Sequence, residues 1–585
     1  MKAIKKTPVI HLIRRLQPYN CMLYLLPFNL STMNFQHKFI LIAALSTIAF
    51  APLASAQKEL EGDNVTVVKD FDARLLDANK VTVSPTLPPL DTTTKRQSYS
   101  VPPHPSNVKY DAPKLRPIGI KAGPKEQAYN GFAKLGAGVP TSLYGEAGYY
   151  FGTSDKFDGK VWLKHHSLNA NKALENQKFS TTEGLINTNI FLKNNLAVEG
   201  KVGYIYEKVH FYGYDHDKFS FTDARIQQKF KIIDVGGRLY NSKRNDFDLN
   251  FSIAPNLYHL SDDYSNKETG FDLGFSATKW FAEKHALRIT IRPDFTSFTD
   301  TVTQKINNIY LQPSFTLHTD FLQVKVGGNF VSNRDKFSIF PDATLTLRVW
   351  GDGIQVFAGA TGDLRKNTYR SISRYNPFVE IRQTNLKNTR YDHYFGGLKG
   401  KIDWLDYNGQ IGYAKASDLA LYQTLFQTDG DGQELTRFYV LYDTVRIFNL
   451  QGTVTLSPIK NLAITATISQ NVYDTKTTDT GEDEIAAWGL PEMEGNFGAV
   501  YTLLEGKAHL KANLYTADKI SFRDEFGTAT KSGLLYDLNV GGTYFFTKNI
   551  GAFLDINNLL NNKRERWYRY PTVGVNFMAG VTARF

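Results

Sequence analysis

The dominant pattern along this chain is a period of two. In DFDLNFSI, Phe247, Leu249, Phe251 and Ile253 alternate with Asp248, Asn250 and Ser252. In LRITIRPDF, Leu287, Ile289 and Ile291 alternate with Arg288, Thr290 and Arg292. LAVEGKVGYIY sets Leu196, Val198, Val202, Tyr204 and Tyr206 against Glu199, Lys201 and Gly203, and AHLKANLY sets Ala508, Leu510, Ala512 and Leu514 against His509, Lys511 and Asn513. Successive side chains of a strand point to opposite faces, so each run predicts a β-strand with one apolar and one polar face. The final stretch, GVNFMAGVTARF, repeats the pattern. Phe577, Ala579, Val581, Ala583 and Phe585 form its apolar face, Gly580 lies among the small and polar residues between them, and Met578 is the exception.

This texture runs from Tyr129 to Phe585, and its connectors fall into two sets. Short ones are 194–195, 242–245, 282–284, 351–353, 403–406, 458–461, 505–507 and 547–549. Longer polar ones alternate with them, at 168–180, 212–223, 364–388, 423–435, 475–492 and 561–570. Strands laid between them number about 22, an even count with every turn in phase. A strict alternation of tight and long connections predicts an all-β fold, a transmembrane antiparallel β-barrel with short periplasmic turns and long external loops. Closure is required, because in hydrocarbon every backbone polar group needs a partner and only a closed sheet has no edge. The last strand is therefore expected to pair with the first, Tyr129–Val139, with its apolar face on lipid. A propeller or solenoid would show a repeat of about 40–50 residues, and none occurs. A soluble sandwich would not keep the connectors alternating. Pro255, Pro293 and Pro313 fall inside expected strands and are read as bulges or strand ends.

Residues 33–57 change the picture of the N-terminal end. His37 and Lys38 precede an apolar stretch, Phe39 to Phe50, and Ala54-Ser55-Ala56 supplies small residues for cleavage before Gln57. These are the three regions of a secretory signal peptide, with its own Met33. We therefore expect 1–32 to be an upstream translation artefact or long leader, 33–56 the signal peptide, 57–128 a periplasmic segment or partial plug, and 129–585 the barrel. Residues 57–128 hold 9 of the 22 prolines, which suits an extended segment.

Composition matters only after this correction. Lys2, Lys5, Lys6, Arg14, Arg15 and Lys38 all leave with residues 1–56, so the net charge falls from +11 to +5. Nucleic acid loses its main support as a partner. The single cysteine, Cys21, leaves too, which excludes disulfides and thiolate metal sites. The 40 Phe and 32 Tyr suit interfacial girdles in the outer membrane of a Gram-negative bacterium, against lipid and lipopolysaccharide.

At 550–585 a resemblance appears. Asn558-Leu559-Leu560-Asn561, Trp567, Tyr570-Pro571, Gly574 and a terminal aromatic in a strand resemble the end of TonB-dependent receptor barrels. A weaker echo is Asn376-Pro377 followed by NLKNTRYDHYFGGLKGKI at 385–402. The resemblance implies a 22-stranded barrel, solute uptake or passage, and TonB as partner, with Val65-Thr66-Val67-Val68 as the TonB-box-like run. It also implies that the terminal strand, with Phe577, Gly580, Val581 and Phe585, is read by the outer-membrane assembly machinery. The departure is the plug domain: only residues 57–128 stand where that family has a much longer one. Since wall side chains do not fill so wide a barrel, that segment, inward-folded loops or another periplasmic or outer-membrane protein is expected to occupy the lumen. The rival reading is a structural or accessory barrel that docks a periplasmic partner for outer-membrane assembly or secretion.

Catalytic and metal signals are absent from the motifs. No HExxH, Cys/His cluster or phosphate-binding glycine loop occurs, and no cofactor is expected. Asp392-His393 and His165-His166 are hydrolase candidates by residue type alone, and read instead as a periplasmic strand start and an outer strand end. DGDGQE at 429–434 lacks full calcium-loop spacing. The acidic run Asp479, Glu482, Asp483 and Glu484 reads as a solvated external loop.

Overall fold

The structure, a computed structural model, describes residues 129–585 apart from 155, 244, 334–335, 381, 383–384, 429–431 and 476–484. The signal peptide, the segment 57–128 with Val65–Val68, the acidic run at 479–484 and residues 429–431 of DGDGQE lie outside the described residues.

The alternating runs form one closed antiparallel sheet of 22 strands. It opens with Gly131–Val139 and Ser142–Ser154 and ends with Ile550–Asn557 and Asn576–Arg584. The ends meet as the sequence predicts. Phe132 pairs with Arg584, Gly136 with Gly580 and Val139 with Phe577, and Gly131 and Phe585 exchange backbone hydrogen bonds of 2.8 and 2.9 Å. The last residue is thereby locked to the first strand, and the Phe585 ring stacks on Tyr149 at 6.2 Å.

The two faces of the wall follow the period. Leu135, Leu163, Ile186, Ile233, Leu257, Leu398, Ile411 and Val581 point outward and are exposed. A soluble protein does not present so continuous an apolar band, whereas a barrel in lipid requires one. Met578, the odd residue of the last strand, is buried because it points inward. Every short connector read from sequence lies at one end of the barrel, the periplasmic end by the rule for such barrels. Exposed aromatics stand in or beside the tight turns there, at Phe247, Phe281, Phe321, Trp350, Trp404, Phe546 and Phe585, which is a girdle at that interface.

The strand prolines are neither strand ends nor bulges with an extra residue. Each sits mid-strand beside a gap in the ladder to one neighbour. Pairing between Gln227–Asn241 and Leu249–Asp262 skips from Gly236–Asn256 to Leu239–Ile253, around Pro255. Pro293 and Pro313 lie in similar gaps, Pro293 opposite Leu273 and Pro313 opposite Gly328. Proline lacks the N–H for that rung, and at Pro255 and Pro313 a glycine opposite, Gly237 and Gly328, leaves room for the ring.

One strand pair is much longer than the sequence runs suggest: Leu405–Thr428 and Glu434–Leu456. A register shift between Ala416 and Leu419 interrupts it, with Asp418 at a positive φ of 55°. Its distal half supports the external loops.

Candidate functional site

The external loops, read as polar, are instead rich in buried aromatics. Phe211, Tyr214 and Phe221 come from 211–226, Tyr369 and Ile372 from 367–387, Trp488 from 485–492, Ile520 and Phe522 from 519–534, and Trp567 and Tyr570 from 558–575. Tyr369, Ile372, Trp567 and Tyr570 pack against lumen-facing positions of the wall, including Phe230, Ile232, Leu260, Phe298, Phe438 and Val440; Phe211, Tyr214 and Phe221 pack with Leu435, Trp488 with Leu421 and Val445, and Ile520 and Phe522 with Ala517. Phe230 and Ile232 alternate with the lipid-facing Ile233 and Val235, so this packing lies inside the wall. Loops folded over the external mouth form a cap with a hydrophobic core of its own.

A short helix, Tyr369–Tyr375, anchors the cap. Thr368 and Ser371 close a capping box, with Ser371 N donating to Thr368 Oγ1 at 3.1 Å and Thr368 N to Ser371 Oγ at 2.9 Å. The helix's first amides then meet a carboxylate from the wall. Tyr369 N and Arg370 N donate to the two oxygens of Glu268 at 2.6 and 3.1 Å, and Tyr258 OH donates to the same group at 2.9 Å. Glu268 is fully buried. A negative charge at the positive end of a helix is favourable, and here it fixes a loop to a strand. Tyr369 OH donates to Asp262 at 2.8 Å, and Arg370 reaches Asp234 at 3.1 Å.

The C-terminal loop supplies the aromatic centre. Tyr570 stacks on Phe378 with centroids 3.8 Å apart and donates its hydroxyl to Thr436 O at 2.6 Å. Trp567 meets Tyr375, Tyr422 and Phe438 edge-on at 5.2–5.6 Å, while Arg566 lies over its ring and donates to Tyr375 OH at 3.0 Å. The loop 170–177 joins through Gln177, whose amide donates to Pro571 O at 2.8 Å. Burial pushes the Tyr212 hydroxyl, beside Tyr570, up to about 12. It also raises the Glu565 carboxyl, against the backbone N–H and charge of Arg569.

The residues picked out from sequence separate into three groups. Trp567, Tyr570 and Pro571 are part of the cap. Asn558, Asn561 and Gly574 build the loop's base: Asn558 Nδ2 donates to Asn562 O and Val573 O at 2.8 and 2.7 Å, and Asn561 Oδ1 accepts from Val575 N at 3.0 Å. A side chain at Gly574 would run into Asn561. Leu559 and Leu560 are exposed at that base. Phe577, Gly580, Val581 and Phe585 lie on the closing strand. Asn376, from the weaker echo, ends the helix and accepts from Phe378 N at 2.9 Å.

The histidine candidates resolve into wall residues. His165 meets Thr182 at 2.8 Å and His166 sits between the rings of Tyr144 and Phe179, near the external end of its strand. Asp392-His393 is not at a periplasmic strand start. Its strand, Asn388–Ile402, follows the long loop 367–387 and so begins at the external end; Asp392 pairs with Arg390 there at 2.9 Å. Among the described residues no group of three or more His, Cys, Asp or Glu is placed to hold a metal ion.

Sequence reasoning named inward-folded loops as one of three expected occupants of the lumen but did not find the residues that build the cap. Its signal was present in segments such as FYGYDHDKFSF (211–221), where aromatics crowd a connector that solvent exposure alone would keep polar.

No family model matches the chain, and no curated protein matches it. Solved structures do. The FrpB iron transporter of Neisseria meningitidis aligns with a TM-score of 0.62 at 9% identity, over 79% of this chain and 81% of that one. The siderophore receptor PirA of Acinetobacter baumannii gives 0.58 at 8%, over 79% and 81%. The ferric enterobactin receptor PfeA of Pseudomonas aeruginosa gives 0.58 at 10%, over 78% and 80%. The chain shares the barrel fold of these proteins.

Proposed function

We propose that this protein is an outer-membrane barrel of the TonB-dependent-receptor kind that passes a solute through its lumen, with the external loops as its gate. The observation that carries this reading is the combination of a closed 22-strand wall with a mouth shut by loops. Wall side chains cannot fill such a lumen, whereas loops can both seal and release it. The neighbours' iron and siderophore uptake suggests an iron chelate as the solute class. TonB is the partner we assign, through Val65–Val68, and the closing strand from Phe577 to Phe585 is our candidate for recognition by the assembly machinery. We assign no catalytic role and no cofactor.

The same cap favours a second reading. A seal built on Trp488, Tyr369, Phe438 and Trp567, all buried, suits a barrel that stays shut and serves as an accessory to assembly or secretion. The two readings separate in one comparison: planar-bilayer conductance of the mature chain and of a form lacking residues 57–128, paired with uptake of a ferric siderophore by cells. Passage predicts energy-dependent uptake and channel openings in at least one of the two forms, as the loop gate opens and recloses. A silent barrel in both forms, no uptake, and a stable co-purifying partner would replace passage with the accessory role.

A further inference from the structure

The lumen carries a second feature, at the opposite end from the cap. A pocket of about 550 Å³ lies near the tight turns, lined by Arg238, Tyr240, Ser252, Thr278 and Arg288, and at its rim by Lys243 and Glu283. These positions face inward, since they alternate with the lipid-facing Ile253, Phe275, Leu287 and Ile289. Register places them in two adjacent rows: Tyr240 opposite Ser252 and Ser252 opposite Ser276, then Asn250 opposite Thr278 and Thr278 opposite Arg288.

The arginines are held but not neutralised. Arg238 Nε donates to Ser252 Oγ at 3.0 Å and its guanidinium lies 4.5 Å over the Tyr240 ring. Arg288 Nε donates to Thr278 Oγ1 at 3.1 Å. Among the described residues no carboxylate is within ion-pair distance of either. Elsewhere inside the wall, Lys134, Lys325 and Lys366 are each met by an aspartate, at 3.4, 2.6 and 2.5 Å. Glu199 stands opposite Arg238 across the ladder, but its carboxylate accepts from Asn187 at 2.7 Å. Two guanidinium groups therefore keep their outer N–H donors free, aimed into a space lined by hydroxyls, two amides and aromatic rings, with Lys243 as a third cation and Glu283, engaged elsewhere, as its one carboxylate among the described residues. Guanidinium groups in this state match carboxylate and phosphate oxygens. The two arginines stand on strands three spacings apart, roughly 14 Å, so a solute with more than one acidic group engages both better than a monovalent ion.

We propose that this pocket binds small multivalent oxyanions, bearing carboxylates or phosphates, on the periplasmic side of the lumen. The inference rests on the passage reading for its purpose, as a station for solute inside the barrel, but not for the binding itself. The test is calorimetric titration of the mature full-length protein in detergent with citrate, with pyrophosphate and with sucrose. Citrate or pyrophosphate should bind and sucrose should not, and the better of the two identifies the acidic group. The variant Arg238→Gln/Arg288→Gln should lose about tenfold or more in affinity. Arg348→Gln should bind like wild type. It removes a cation at the same end of the barrel whose guanidinium donates to Asp320 O. Heat-dependent gel migration checks that each variant keeps its barrel. Absence of binding in the wild type, or unchanged binding in a folded double variant, would overturn the proposal. Binding by a barrel that never conducts would keep the site and remove passage.

Discussion

Two single residues hold more of this molecule than their size suggests. Glu268 takes three hydrogen bonds in a site closed to water, two of them from the first amides of the helix at 369–375. Removing the carboxylate leaves those amides without an acceptor. Glu268→Ala should therefore weaken closure of the cap by about 2–3 kcal/mol, seen as a rise in channel openings in a planar bilayer. Conductance equal to wild type would mean that the aromatic core alone keeps the mouth shut. Gly580 sits opposite Gly136 at the seam, where a side chain would overlap the Leu135 carbonyl and crowd Phe553. Gly580→Val should prevent closure of the wall and abolish the heat-resistant fast-migrating form on gels, whereas Ala579→Val, on the lipid side of the same strand, should leave it intact. Glu565 adds a pH dependence. Burial raises its carboxyl pKa above the usual value, so its protonated form is the one the folded cap prefers. Its contribution to stability is complete below the unfolded pKa and is lost as pH rises through the folded one. Openings should be rarer at about pH 4.5 than at about pH 7.5, and Glu565→Gln should flatten the difference. A pH response unchanged in that variant would assign it to another group.

Among the elements, the strands were legible and the loops were not, for a physical reason. A strand's two faces are set by its immediate surroundings, lipid on one side and lumen on the other, so period two alone marks Leu287, Ile289 and Ile291 as outward. The tight turns were equally local. The prolines were legible only in part: their positions inside strands were right, but the gaps beside Pro255 and Pro313 depend on glycines in the neighbouring strand. The side of the barrel on which Asp392-His393 lies was misread because the pair itself carries no mark of strand direction, while the long loop before it does. The cap depends on contacts between segments hundreds of residues apart, such as Tyr570 with Phe378 and Tyr212, and no local period encodes them. Trp567, chosen from sequence as part of a terminal motif, proves to be a central side chain of that core. Trp567→Ala should cost the cap about 3–5 kcal/mol, more than Glu268→Ala. Channel openings measured side by side check that order; the reverse would make the polar anchor the principal lock.

For the whole molecule, wall and cap are two structures with different sources of stability. The wall is a continuous ladder that closes on itself in a medium offering its backbone no alternative partner. The cap is a set of loops over the mouth, held by side-chain packing and by a few carboxylate anchors, and it faces water on its outer side. Loops held by side-chain packing open locally, with a free energy of their own, while a hydrogen-bonded ladder stays closed. Hydrogen exchange should therefore show the amides of 211–226, 367–387, 485–492 and 519–534 exchanging together, faster than those of Gly131–Val139 and Asn576–Arg584. Trp567→Ala should speed exchange in all four loop segments, because each meets the Trp567 cluster: Tyr369 and Ile372 belong to it, Tyr212 packs against it, Gly489 lies close to the Trp567 ring and Phe522 meets Tyr568; the seam strands should stay as slow as before. Such a pattern is what a gate requires, since a mouth that opens only when the wall unravels cannot pass a solute and reclose. Exchange that accelerates equally in loops and seam would make cap and wall one cooperative unit, and the accessory role would then be the better account of this barrel.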